Sequence, residues 1–226
     1  MLTVVASLKS PGVTTTALAL GYVRQATVVE ADPCGGDVAG WMGWPDLGLS
    51  GLAADARRQV RAELLGEHAR ATPYGLSVVA ARSNPDGAAG SVAALVEVLP
   101  KLAVEADLVV DAGRLGDLTA KLLPPADQVV LLVRPQVADL ARLATRLDTL
   151  RSACGQRLSI AVFGLGGYGQ QEIADTLGCP VATTIPYDLS TAAALQGLAG
   201  RLPPAGAASK RWRLRRFRLL EAVSRL

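Results

Sequence analysis

The feature that most restricts how this chain can fold is a set of short runs that are apolar without alternation. Val4-Val5-Ala6, Leu108-Val109-Val110 and Val129-Val130-Leu131-Leu132-Val133 are the clearest. A strand with one wet face alternates apolar and polar residues, whereas a continuously apolar strand is covered on both sides, as in a parallel sheet layered between helices. The pattern predicts strands near 2–7, 26–31, 76–81, 107–112, 128–134, 158–163 and 180–184. Between them it predicts helices near 14–24, 52–70, 90–103, 136–152, 169–177 and 189–199. The expected class is α/β, a mostly parallel twisted sheet with helices on both faces in three αβα layers. Pro203-Pro204-Ala205-Gly206-Ala207-Ala208 breaks the pattern. It divides the chain into a body over 1–202, a linker over 203–208 and a separate element over 209–226.

In such sheets the ligand sits at the carboxyl ends of the strands. The first strand runs into Lys9-Ser10-Pro11-Gly12 and then directly into the helix-like Val13-Thr14-Thr15-Thr16-Ala17. A buried strand, a tight loop and a helix N-terminus make an anion site, because the first N–H groups of a helix lack internal partners. The second strand ends at Glu30-Ala31-Asp32-Pro33 and the fourth at Asp111-Ala112-Gly113. A cation and two acids therefore converge on one sheet edge, and Mg²⁺ needs no more than one or two such carboxylates. Each feature also has a plainer reading. The loop could be a turn with Thr14 capping the helix, Asp111 a carboxylate meeting solvent, and Glu30 and Asp32 caps of the next helix.

The ordered set resembles the MinD/ParA family of P-loop ATPases, whose loop reads roughly KGGVGKTT, over about residues 1–200. The resemblance implies a P-loop NTPase fold, ATP and Mg²⁺ as cofactors, and dimerisation around nucleotide. Aligned without gaps, Lys9 matches the family's signature lysine, which reaches the partner's nucleotide. Ser10, Gly12, Val13, Thr14, Thr15 and Thr16 then form the phosphate loop, with Thr15 at the Mg²⁺-ligating hydroxyl. Asp32 would orient water and assist the metal, and Asp111 matches the Walker B acid. Ile185-Pro186-Tyr187-Asp188 resembles the family's late segment beside the base, which places Pro186 and Asp188 near the nucleotide. The general pattern G-x-x-x-x-G-K-[ST] would need Gly, Gly and Lys where Leu8, Val13 and Thr14 stand, and sliding the loop onto Gly12 puts Val13 at the lysine. Neither alignment recovers that cation, so hydrolysis is expected to be slow or absent. TadZ-like proteins of pilus and secretion systems also carry an atypical loop. The alternative is a nucleotide-free adaptor acting through its basic tail. A third idea, a metabolic P-loop ligase, finds no substrate-side residues.

The net charge of +3 belongs to the tail: residues 209–226 carry seven Lys or Arg and one Glu, leaving the remainder mildly acidic. Arg211, Trp212, Arg215, Arg216, Phe217, Leu219, Leu220 and Val223 suit a basic helix with apolar groups. Three uses compete for it: an anionic membrane surface, a partner protein or the chain's own body, and non-specific DNA. Three widely spaced cysteines, no apolar run of spanning length and no basic leader predict a cytoplasmic protein with free thiols, peripheral to the membrane if the tail binds there. His68, the single histidine, is expected to be solvated on a charged helix. Acting as a homodimer, the protein would position or assemble a septum, pilus, secretion or partition machine.

Overall fold

The computed structural model describes residues 1–9, 12–45, 48–189, 192 and 218–226. Each apolar run forms a strand: β1 (Leu2–Ser7), β2 (Thr27–Glu30), β4 (Ser77–Val79), β5 (Leu108–Arg114), β6 (Gln128–Val133), β7 (Leu158–Phe163) and β8 (Val181–Ile185). With a two-residue β3 (Arg70–Ala71) they make one sheet in the order β3-β4-β2-β5-β1-β6-β7-β8. All neighbours are parallel except β3 and β4. β1 lies between β5 and β6, with Val4 opposite Val110 on one side and Val129 on the other. All six of its residues are buried, as expected of a strand covered on both faces.

One face is covered by α3 (Gly48–Ala56), α4 (Glu63–His68), α5 (Pro85–Leu95), α6 (Leu99–Leu102), α7 (Val137–Ala144), α8 (Leu147–Cys154) and α9 (Gln170–Leu177). The other carries α1 (Val13–Arg24), α2 (Val38–Met42) and α10 (Arg218–Val223). Three predicted helices are pairs. The stretch 52–70 divides because Val60 falls on the solvent side, and the chain must turn before Leu64 and Leu65 can dock. The stretch 90–103 begins earlier, at Asn84, whose side chain accepts from the Gly87 N–H at 3.0 Å with Pro85 at the first helical position, and it breaks ahead of Pro100. The stretch 136–152 divides at Thr145–Arg146. The predicted helix 189–199 and linker 203–208 lie outside the described residues.

α1 is apolar all round: Val13 and Thr16 through Tyr22 are buried. A helix of that kind needs cover on the side away from the sheet. α10 supplies it, packing on α1 and β8 with Leu219 and Leu220 no more than 1% exposed and Val223 fully buried. Of the three uses open to the tail, these three residues follow the one in which they dock on the chain's own body, because α1 would otherwise leave its outer face in water. Arg211, Trp212, Arg215, Arg216 and Phe217 lie outside the described residues.

His68 is also not solvated. Its side chain is 17% exposed, and Nε2 lies 3.0 Å from Asp55 Oδ2, pinning α4 to α3. Cys34, Cys154 and Cys179 are free thiols. Among the described residues no helix is long and apolar enough to cross a membrane.

Candidate nucleotide site at the carboxyl edge of the sheet

The chain leaves β1 at Ser7 and starts α1 at Val13. Gly12, the residue before the helix, has φ 81°. This left-handed conformation favours glycine, and a Cβ there would run into the ring of Phe163 at the end of β7. The Thr16 N–H closes the first turn onto the Gly12 carbonyl at 2.9 Å. The first turn of α1 holds no acid and no side chain caps it. Its leading N–H groups keep their positive end for an anion.

Beside that helix start, Asp111 lies in the buried part of β5 and is 1% exposed. It does not meet solvent. Its Oδ1 accepts from the Gly113 N–H at 3.0 Å, while Oδ2 is buried without a hydrogen-bond partner. Burial, reinforced by the charge of Glu30, pushes the carboxyl up to about 7, against the pull of the Thr14 hydroxyl and the Gly113 N–H. A buried carboxylate oxygen with nothing to bind is costly, and such an atom beside a helix N-terminus fits a cation held with a phosphate. The Thr16 hydroxyl is a second buried orphan in this turn.

The Thr14 hydroxyl is among the groups that act on Asp111. The loop before it is short. Two residues separate Lys9 from Gly12, where the KGGVGKTT pattern has three between its first lysine and last glycine. Aligned with that one-residue deletion, Gly12 stands at the last-glycine position of the pattern and Val13 at its lysine. Val13 is 2% exposed and packs in the apolar layer with Val5 and Ala17. The head of α1 therefore has no charged side chain of its own.

Asp32 follows β2 and leans over β5. Its Oδ1 accepts from the Cys34 N–H at 2.8 Å, and its other oxygen occupies the space that a Cβ on Gly113, φ 54°, would need. Burial raises its pKa, and the Cys34 hydrogen bonds and Arg114 oppose the rise. Asp32 and Asp111 are thus neighbours, as the sequence predicted. Among the described residues no three His, Cys, Asp or Glu side chains form a metal cluster.

Glu30, opposite Asp111 in register, has a different task. One oxygen accepts from the N–H groups of Asp37 at 2.7 Å and Val38 at 3.1 Å, and the other from Ala81 at 2.9 Å. It caps α2 and ties the loop after β2 to the end of β4. Burial raises its pKa and these N–H groups lower it. Glu30→Gln puts an NH₂ where one of these donors points. It is expected to cost about 1–3 kcal/mol, read as a lower urea midpoint at unchanged slope.

Lys9 is 41% exposed, and its Nζ lies 3.5 Å from Oδ1 of Asp139 in the first turn of α7. The other oxygen of Asp139 takes a 2.6 Å bond from Arg134 Nε. Although burial works against it, that bond and the two cations hold the Asp139 carboxyl below the usual range. Sequence reading did not identify this acid, whose only signal was its place in the first turn of a predicted helix. Pro186 and Asp188, both half-buried, follow β8 directly, and the Tyr187 ring stands edge-on to Phe163 at 6.2 Å. Ser10 lies outside the described residues.

Solved structures with this fold include cell-division ATPase MinD from Pyrococcus furiosus, at TM-score 0.71 and 16% identity over 99% of this chain and 97% of that one. A ParA family ATPase from Chlorobium tepidum superposes at TM-score 0.70 and 17% identity, over 98% and 95% of the two chains. The fold is that of the MinD/ParA ATPases. No protein-family profile matches the sequence, and no curated protein matches it. The MinD/ParA-like fold extends at TM-score 0.57 to cobyrinic acid a,c-diamide synthase from Mycobacterium smegmatis, at 20% identity over 87% and 91% of the two chains. Fold alone therefore does not select an activity, and the site has to carry the functional argument.

Proposed function

We infer that this chain is a MinD/ParA-like nucleotide switch that binds ATP with Mg²⁺ at the β1–α1 loop and hydrolyses it slowly or not at all. The observation that carries this reading is the unpartnered Asp111 Oδ2, buried beside Thr14 at the free head of α1. The N–H groups of the first turn would take the phosphates. Thr14 and Asp111 would hold Mg²⁺, and Asp32 would place a water. A bound Mg²⁺ neutralises phosphate oxygens. Pro186 and Asp188 flank the far side of the site.

Lys9, poised on Asp139, would turn to the nucleotide of a second copy, giving a dimer that forms with ATP. Such a dimer would position or assemble a machine at the inner face of the plasma membrane. Contact with an anionic surface, a partner or DNA would fall to the basic residues 210–217, since Leu219, Leu220 and Val223 are occupied inside the protein. The solved neighbours include a MinC:MinD complex from Aquifex aeolicus and a MinD with Mg-ADP from Pyrococcus horikoshii, which support partner binding and Mg-nucleotide binding as general capacities of the fold.

Isothermal titration with ATP and ADP, with and without Mg²⁺, tests the reading. ATP binding that strengthens with Mg²⁺ is expected, together with an ATP-dependent dimer on a sizing column. Val13→Lys restores the charge at the head of α1 and should tighten ATP at least tenfold. Absence of binding at millimolar nucleotide in both proteins would leave the nucleotide-free adaptor, which the apolar Val13 favours.

A further inference from the structure

With Val13 in the apolar layer, a polyphosphate at this edge needs a positive charge from elsewhere in the chain. The nearby cations are mostly committed. Lys9 and Arg134 both hold Asp139, and Arg82, at the end of β4, donates to Ser50 Oγ at 3.3 Å. Arg114 differs. It is the last residue of β5, three beyond Asp111, and it pairs in register with Ser7, the last residue of β1 before the loop. It is exposed, and while its carbonyl accepts from the Thr119 hydroxyl at 3.4 Å, its guanidinium makes no hydrogen bond or ion pair among the described residues. Its charge acts on Asp32, which lies against the adjoining Gly113. The register shift between the Val5 and Ser7 pairs, where Ala6 of β1 faces both Ala112 and Gly113 of β5, brings the end of β5 level with the entry to the loop.

We propose that Arg114 is the phosphate-neutralising residue of this site, supplied in cis from the end of β5 in place of the absent loop lysine. The assignment rests on the nucleotide reading above. Chemically the exchange is reasonable. A guanidinium is always charged and offers a planar fork that matches two phosphate oxygens, and its length lets it work from a neighbouring strand. In the ligand-free protein its charge acts on Asp32, and a triphosphate would compete for it with a larger charge.

The test is titration of the full chain with Mg-ATP and with Mg-tripolyphosphate at low ionic strength. Arg114→Ala is expected to weaken both at least tenfold while the melting temperature stays put, and Arg114→Lys to recover part of the loss. Arg82→Ala, which removes the same charge from the same sheet edge, should stay within twofold of the parent. If the parent binds and Arg114→Ala binds equally well, or if Arg82→Ala loses as much, the assignment is overturned and the nucleotide reading stands. If the parent binds neither ligand, the nucleotide reading falls and takes this assignment with it.

Discussion

Asp111→Asn is expected to stabilise the ligand-free protein at pH 8 by about 2–4 kcal/mol while removing its Mg²⁺-dependent affinity for nucleotide. The acid ionises at about 7 in the fold against 3.8 in its ordinary state, because burial and Glu30 disfavour the charge. Between those values the folded protein keeps a proton that the unfolded chain has lost. Stability contributed by this group is therefore full below about pH 4, falls as pH rises to about 7, and is flat above. Roughly three pH units at about 1.4 kcal/mol each set an upper figure near 4 kcal/mol. Asparagine keeps an oxygen for the Gly113 N–H and removes the charge. Urea unfolding across pH 4–9 should show a falling limb in the parent that is much shallower in the variant, the remainder belonging to Glu30, whose pKa is raised as well. Parallel profiles would mean that Asp111 does not titrate this way. A residue that weakens the empty fold is retained for what it binds.

Leu220→Ala is the second large effect. The side chain is fully buried between α1 and β8, so truncation removes packing that nothing else replaces, at a cost of about 2–5 kcal/mol. For a chain of this size that lowers the melting temperature by roughly 5–15 °C. Calorimetry decides between this role and lipid contact. Were Leu220 a membrane residue, the melting temperature would hold and only vesicle binding would suffer.

The layers were legible because periodicity reports burial, and seven of the eight strands among the described residues follow from short, mostly apolar runs. β3 was missed: it has two residues, both exposed, and owes its place to the turn that pairs Arg70 with Val78. The convergence of Asp32, Asp111 and the α1 loop was legible from topology, since parallel strands end at one edge. What the short loop does to the register of Thr14 and Thr15 was not, because a one-residue deletion inside a loop leaves no periodicity to count. Glu30 could be read either as a site acid or as a cap, and only the three N–H groups around it decide for the cap. The tail was left open among three uses for a related reason. Amphipathicity shows that Leu219, Leu220 and Val223 need a cover, and the all-apolar face of α1 that supplies it lies almost two hundred residues earlier.

Asp32 resting where Gly113 would carry a side chain has a consequence for descent. Neither position can drift alone. Any residue other than glycine at 113 displaces the carboxylate, and a longer side chain at 32 meets the β5 backbone. Lineages that keep the acid should therefore keep the glycine, and lineages that abandon the acid are released from it. Across relatives the pair should be retained or lost together, so a glycine on one strand becomes a marker for whether the chemistry on another is still under selection.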